Sequence, residues 1–245
     1  MQKVCLIIPC YNEEKRLKEK IFTDFLQRNE DLTLCFVDDG SIDRTLDILN
    51  SMKKNNNEQV IVLHLDQNSG KAEAVRTGVL HTVELNLFKF IGYWDADIST
   101  PLDELRYLLE PFSKRGSVLF VLGSRIKRLG SVINRKTMRH ITGRIFSTFS
   151  SVLLKLPVYD SQCGAKVFRS EISRILFKDA FVTKWLFDVE LLARLRNHLG
   201  EKKNLEACVE VPLNTWVEVD GSKLSFRYLI KVPFDLLKIH FHYNT

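Results

Sequence analysis

Short apolar runs alternate with helical patterns through the first half of this chain. The apolar runs lie near residues 3–8, 32–37, 59–64, 88–94 and 117–122. The helical patterns lie between them, near residues 13–28, 43–55, 70–86 and 101–113. This order of elements predicts an α/β fold, in which a mainly parallel sheet has helices on both faces and right-handed crossovers.

The alternation stops after residue 122. The sequence then predicts amphipathic helices over 136–154, 185–199 and 224–241, with a late strand over 205–211. No linker, repeat or low-complexity tract divides the 245 residues, so we expect a single domain over 1–245 with a C-terminal extension.

An acidic pair follows the fourth apolar run. Asp95-Ala96-Asp97 comes directly after residues 88–94, where a parallel sheet binds ligands at the carboxyl ends of its strands. Carboxylate oxygens suit Mg²⁺ or Mn²⁺, and such a cation could bridge a diphosphate. Alone, the motif is also compatible with an ordinary polar turn.

Polar clusters follow the first two runs as well. Pro9, Tyr11 and Glu13 come at the end of the first run, and Asp38 and Asp39 at the end of the second. Each cluster alone could be a turn or a helix cap. Three such clusters at successive strand ends would meet at one edge of the sheet, which indicates a binding site.

These three motifs resemble the nucleotide-sugar-binding signature of inverting family 2 glycosyltransferases, which have the GT-A fold. Motifs in the second half are similar to those of dolichyl-phosphate glucosyltransferases and their bacterial polyprenyl-phosphate relatives. They are Gly123-Ser124-Arg125, Asp160–Phe168, Trp185–Leu191 and Trp216–Lys223. The resemblance spans nearly the whole chain. It implies a nucleotide-sugar-binding half over 1–122 and an acceptor half over 123–245, with membrane-facing helices.

The resemblance also implies roles on the donor side. Asp95 and Asp97 would hold the metal, with Ala96 between them in the donor site, and Asp97 would thereby be catalytic. Ser99 stands where mannosyltransferases of this kind can carry a Gln near the metal, which argues against a mannosyltransferase. Lys71, in Asn68-Ser-Gly70-Lys71, would add positive charge near the nucleotide.

Base and ribose recognition would fall to the first two motifs. Tyr11, next to Pro9, can stack on the base, although a partly buried loop aromatic is an alternative interpretation. Asp38 or Asp39 can accept a hydrogen bond from the uracil ring N–H, and Glu13 can hold ribose hydroxyls.

The acceptor side needs charge more than a base. A phosphate monoester is already anionic near neutral pH, so orientation and neutralisation matter more than proton removal. Arg125, Arg135 and Arg139 offer planar donors suited to phosphate oxygens. Asp188 would be a base or an orienting group, and it could also simply complement the dipole of its helix.

A sugar-side loop completes the expected site. By resemblance it contains Asp160, Gln162, Cys163 and Gly164. Cys163 is not expected to be a nucleophile, because an inverting displacement forms no covalent intermediate and no His lies near it in sequence to activate it.

The expected activity is transfer of glucose from UDP-glucose to a polyprenyl or dolichyl phosphate with Mg²⁺ or Mn²⁺. The alternatives within the family are another donor, such as GDP-mannose or UDP-GlcNAc, and a hydroxyl acceptor. A nucleic-acid-binding module is disfavoured despite the pI of about 9.0, because aromatic and basic residues do not interleave. A dinucleotide oxidoreductase is disfavoured because no Gly-x-Gly-x-x-Gly follows the first run.

The cellular setting follows from composition. The five cysteines show no Cys-x-x-Cys spacing, and no run of about 18 apolar residues exists. The first apolar run begins at once, so we expect no signal peptide. Residues 125–155 hold eight Lys or Arg and no acid. We therefore expect a cytoplasmic protein, peripheral on the cytoplasmic face of a membrane. A membrane partner protein is the alternative anchor.

Overall fold

The structure, a computed structural model, describes residues 3–134, 137–219 and 226–243. The strands are β1 (Val4–Cys10), β2 (Leu32–Asp38), β3 (Val60–His64), β4 (Phe90–Trp94), β5 (Phe120–Ser124), β6 (Val132–Asn134), β7 (Ala165–Arg169), β8 (Cys208–Pro212) and β9 (Thr215–Val217). The helices are α1 (Glu19–Gln27), α2 (Thr45–Asn55), α3 (Lys71–Leu85), α4 (Leu105–Lys114), α5 (Thr137–Leu154), α6 (Ser173–Phe177), α7 (Phe187–Leu199), α8 (Glu201–Ala207) and α9 (Phe226–Tyr243).

Seven strands of the described chain form one sheet in the order β3-β2-β1-β4-β7-β5-β8. All its pairings are parallel except those of β7, which runs antiparallel to β4 and β5. β6 and β9 pair separately as a parallel ribbon. The predicted fold class is confirmed: the sheet is mainly parallel and has helices on both faces.

The core lies in two layers, one on each face of the sheet. Alternate residues of a strand point to opposite faces, so Leu6 and Ile8 enter one layer while Cys5 and Ile7 enter the other. Helices α1, α2 and α4 cover the first layer, and α3, α6 and α7 cover the second. Burial on both faces explains why these strands read as continuous apolar runs.

Several details differ from the sequence prediction, which lacked β6, β9, α6 and α8. Helix α1 begins at Glu19 rather than near residue 13, because the amides of Arg16 and Leu17 close a turn on the Glu13 carbonyl. The late strand begins at Cys208, since residues 205–207 finish α8. Strand β7 was not predicted, and it places part of the second-half motif inside the sheet.

Helices α5 and α9 pack on α7 and on each other, and both expose large apolar side chains. Those on α5 are Ile145, Phe149 and Val152, and those on α9 are Phe234, Leu237 and Phe241. Among the described residues, no helix combines the length and the hydropathy that crossing a membrane requires.

Candidate active site

The parallel strands end at one edge of the sheet, and the predicted residues gather there. Asp38 ends β2, while the turns after β1, β4 and β5 carry Tyr11, Asp95 and Arg125 respectively. The register aligns these ends, since Cys10 pairs with Asp38 across β1 and β2. The edge therefore assembles the site from segments that are distant in sequence.

Asp38 and Asp39 are both buried, but they differ in whether both carboxylate oxygens have hydrogen-bond partners. Asp39 accepts hydrogen bonds from the amides of Ser69 and Gly70, at 2.7 and 2.9 Å. Asp38 Oδ2 lies 2.7 Å from Nδ1 of His64 at the end of β3, whereas Asp38 Oδ1 is buried without a partner among the described residues. Asp38 is therefore the carboxylate with a free acceptor, and Asp39 fixes the start of α3.

Asp95 is held between a cation and a glycine. Its Oδ1 lies 2.6 Å from Nζ of Lys71, the first residue of α3. Its Oδ2 faces Gly164, where an added Cβ would lie only 1.8 Å away. Burial lowers the pKa of Lys71, but the carboxylates of Asp95 and Asp188 outweigh this effect and raise the pKa above its ordinary value. Lys71 is thus a protonated counter-ion in the site.

The turn around Asp97 is tight. Ser99 donates both its amide, at 2.9 Å, and its hydroxyl to Asp97 Oδ1. Ile98, between them, has φ of 54°, a left-handed value that is strained for a β-branched residue. Such strain concentrates at functional sites, where the surrounding structure holds it in place.

Glu13 is buried and paired. Arg16 reaches both carboxylate oxygens of Glu13, at 2.8 and 2.6 Å. This hydrogen bonding and the neighbouring charge of Asp97 raise the pKa of Arg16, despite partial burial. A ribose hydroxyl at Glu13 would therefore share that carboxylate with a guanidinium.

Asp188 lies in the first turn of α7 and is buried. Its Oδ1 accepts hydrogen bonds from Lys166 Nζ, at 2.6 Å, and from the Tyr93 hydroxyl. Lys166 and Tyr93 are opposite each other in the β4–β7 ladder, so their side chains share one face of the sheet. Asp188 is an ion-paired, buried carboxylate, an arrangement that favours an orienting role over that of a mobile base.

Arg125 is fixed by Asp160. The guanidinium donates Nε and Nη2 to the two Asp160 oxygens, at 2.6 and 2.7 Å, and lies 5.4 Å from the ring of Trp216. Glu210 on β8 in turn accepts the amides of Tyr159 and Asp160, both at 2.7 Å. The sheet thus positions the sugar-side loop, and the loop positions Arg125.

Buried polar atoms lie unsatisfied in the sugar-side loop and at the end of β5. Among the described residues, Gln162 Nε2 and the hydroxyl oxygens of Ser161 and Ser124 are buried without hydrogen-bond partners. Unpaired buried polar atoms are costly, so a polar ligand or water would stabilise this region. Cys163 is fully buried, and burial raises the pKa of its thiol to about 11.

The structure brings together most of the predicted site. Pro9, near the end of β1, and Ala96, between the two aspartates, take their expected places in the backbone. Arg135 lies outside the described residues, as does the side chain of Arg139. Their assignment to the acceptor phosphate stays a prediction.

Sequence reasoning missed several residues that support the site. Lys166 lies in the Asp160–Phe168 motif, but the sequence analysis gave it no role. A lysine inside an apolar run was the pattern that could have indicated one. His64 ends the third apolar run, so the strand-end argument applied to the other clusters could have found it. Arg16 lies only three residues after Glu13, so the local spacing of opposite charges could have found it. Nothing local in the sequence marked Glu210, whose partners at Tyr159 and Asp160 are supplied by the fold.

Two carboxylates are available to a metal. Among the described residues no cluster of three or more His, Cys, Asp or Glu side chains could hold one. Mg²⁺ and related ions commonly use one or two carboxylates and take substrate phosphates and water for the rest. Asp95 already holds a cation, the Lys71 ammonium, so its charge and position fit this chemistry.

Comparison with known proteins gives the family. Residues 5–177 match the model of glycosyl transferase family 2. The chain is 32% identical to a dolichyl-phosphate beta-glucosyltransferase of Dictyostelium discoideum, over 97% of this chain and 74% of that protein. It is 30% identical to the Saccharomyces cerevisiae dolichyl-phosphate beta-glucosyltransferase, over 97% of this chain and 74% of the yeast protein.

Solved structures share the fold. One is glucosyl-3-phosphoglycerate synthase from Mycobacterium tuberculosis in complex with Mn²⁺ and uridine-diphosphate-glucose, with a TM-score of 0.70 and 17% identity. The alignment covers 97% of this chain and 79% of that one. The resemblance seen in the motifs is confirmed: the chain is a glycosyltransferase and belongs to glycosyl transferase family 2.

Proposed function

We propose that this enzyme transfers glucose from UDP-glucose to a polyprenyl or dolichyl phosphate, with inversion at the anomeric carbon and with a divalent metal, Mg²⁺ or Mn²⁺. The relatives that it matches over nearly its whole length are dolichyl-phosphate beta-glucosyltransferases. The product would be a β-linked lipid-phosphate sugar.

The observation that carries the donor assignment is the free oxygen of Asp38. This carboxylate is fully buried, yet its Oδ1 lacks a donor among the described residues. The N3–H of uracil is a donor of the right kind, and pairing would remove the cost of a buried unsatisfied acceptor. Tyr11, on the neighbouring turn, would stack on the base.

Asp95 and Asp97 would hold the metal. When bound, it would neutralise charge that develops on the departing diphosphate. Lys71, the partner of Asp95 in this structure, would lie beside the nucleotide. Gln162 and Ser161 would supply hydrogen bonds to sugar hydroxyls through their unpaired atoms.

The acceptor assignment rests on the state of Asp188. A hydroxyl acceptor needs a base, but Asp188 is buried and already engaged by Lys166 and Tyr93. A phosphate acceptor carries its own nucleophilic oxygen and needs positioning instead. Arg125, held by Asp160, would contribute the donors that it has left, and Arg135 and Arg139 would complete the phosphate site.

The lipid tail requires contact with a membrane. Helices α5 and α9 offer exposed aromatic side chains, among them Phe149 and Phe241, with Lys231 and Lys238 on the same helix as the latter. Such helices can lie in the lipid interface. Arg144 of α5 donates to the Tyr159 carbonyl at 2.7 Å, so this helix also contacts the sugar-side loop. We propose a peripheral position on the cytoplasmic face, with a membrane partner protein as the other means of attachment.

A donor screen tests the proposal. Radiolabelled UDP-glucose, UDP-galactose, UDP-GlcNAc and GDP-mannose are each supplied with a polyprenyl phosphate and Mg²⁺ or Mn²⁺. Only UDP-glucose should give an organic-soluble product at a high rate, and Asp38→Asn should weaken uridine binding about tenfold. Product from GDP-mannose, or product formed equally well with a polyprenol in place of its phosphate, would favour the alternative donor or the hydroxyl acceptor.

A further inference from the structure

The cations that touch the carboxylates of the site are already neutralised. Lys71 is paired with Asp95, Lys166 with Asp188 and Arg125 with Asp160, each at 2.6 Å. A phosphate that enters this acidic edge would therefore be stabilised by a further cation whose charge is not already paired within the protein.

Lys184 is such a cation. It lies in the segment between α6 and α7, its side chain is exposed, and no acidic partner of Lys184 is found within the described ranges. Its Cδ is 3.9 Å from the point where a Cβ on Gly70 would stand. Gly70 precedes Lys71 and its amide binds Asp39, so Lys184 lies over the turn that opens α3 beside the donor site.

The backbone of this segment is fixed from below. Glu190 of α7 is fully buried and accepts the amide and hydroxyl of Thr183, at 2.7 and 2.6 Å, and the amide of Val182, at 2.9 Å. A segment held in this way presents its next residue, Lys184, in a defined place, and the Lys184 side chain is exposed. An exposed cation held beside the donor site can reach an anionic ligand that binds there.

We infer that Lys184 binds phosphate oxygens of the ligand in this site. The inference rests on the proposed function, and two sources share the chemistry: the diphosphate of the nucleotide-sugar and the phosphate of the lipid acceptor.

Titration calorimetry on the full chain separates the two sources. Lys184→Ala should weaken UDP binding about tenfold, leave uridine binding unchanged and reduce the salt dependence, if the donor diphosphate is bound. If the acceptor phosphate is bound, UDP affinity should be unchanged and the KM for a short polyprenyl phosphate should rise about tenfold. Lys184→Arg should restore most of the loss in either case.

Lys178→Ala is the matched control, because Lys178 is an exposed lysine in the same segment, next to Asp179. It should alter neither measurement. The inference is overturned if Lys184→Ala changes neither UDP affinity nor acceptor KM, or if uridine binding falls as much as UDP binding. If the wild-type chain itself binds no UDP and uses no lipid phosphate, the proposed function fails and this inference fails with it, a result distinct from an unchanged variant.

Discussion

Gly164 lies directly against the Asp95 carboxylate, so closely that a Cβ on Gly164 would stand 1.8 Å from Oδ2. Gly164→Ala should therefore displace Asp95 and disturb its ion pair with Lys71. We expect a loss of turnover of at least tenfold, on the order of the cost of misplacing a reacting group. Gly116→Ala is the control, because nothing lies within 4 Å of the corresponding Cβ. Equal steady-state rates for the two variants would contradict this view of the contact.

Removal of the second aspartate should abolish transfer and spare the fold. Asp97 is only partly buried, so Asp97→Ala loses a metal ligand rather than core volume. The lost stabilisation should be several kcal/mol in the transition state, and EDTA should have the same effect on the wild type. Asp103→Ala, an exposed acid shortly after it, should behave normally. Initial rates with circular dichroism spectra provide the check, and activity that persists in EDTA would rule out the metal.

The buried pair of Lys166 and Asp188 makes a prediction about stability. Lys166→Met would leave a buried carboxylate without its cation, which costs about 3–5 kcal/mol. Lys166→Met combined with Asp188→Asn should be less destabilised than the single variant, because the orphaned charge is gone. Urea unfolding of the three proteins measures the difference. A single variant within about 1 kcal/mol of wild type would show that this pair is not buried in solution.

Burial makes two of the cysteines unreactive. It raises the pKa of Cys35 to about 12 and that of Cys163 to about 11. Both thiols are therefore neutral at pH 8, and iodoacetamide should label them only after unfolding. Their folded pKa lies above the unfolded value, so the stability that they contribute is complete below about pH 8.5 and falls as the pH rises towards 11 and 12. Peptide mass spectrometry after timed alkylation tests this, and rapid labelling of native Cys163 would contradict it.

Vesicle flotation tests the exposed face of α9. We expect binding to anionic vesicles that weakens as salt is added, with about 1 kcal/mol contributed by each basic residue near the surface. Lys231→Glu combined with Lys238→Glu should weaken binding without unfolding the protein. Lys202→Glu with Lys203→Glu, on exposed positions of α8, is the control. No flotation at low salt would point to a membrane partner protein instead.

The parts predicted well from sequence are those that local pattern determines. Strands β1, β2, β4 and β5 are short and buried, and β3 at the end of the sheet is partly buried. Their apolar runs therefore predicted both their places and the edge of the sheet that carries Asp38 and Asp95. Identifying Asp38 as the carboxylate with a free oxygen needed the structure, because Asp39 is satisfied by amides 30 and 31 residues away.

The second half was harder for a physical reason. Strand β7 contains Lys166, which would ordinarily argue against a fully buried position. Its burial depends on Asp188, 22 residues later, and on Tyr93, 73 positions earlier and opposite it in the β4–β7 ladder. Such compensation between distant residues leaves no periodic signal in the sequence.

The place of β7 has a consequence for the order of folding. This strand fills the space between β4 and β5, so its two hydrogen-bonded ladders can form only when both neighbours are in place. Contacts of this range are slow to form because a long intervening loop must close first. We expect the contacts of Lys166 with Asp188 and of Gly164 with Asp95 to form late, after β1 to β4 have assembled. The edge that carries the candidate site would then be completed only when β7 inserts. A chain without β7 in place would have Asp95 and Asp188 but not their contacts with Gly164 and Lys166.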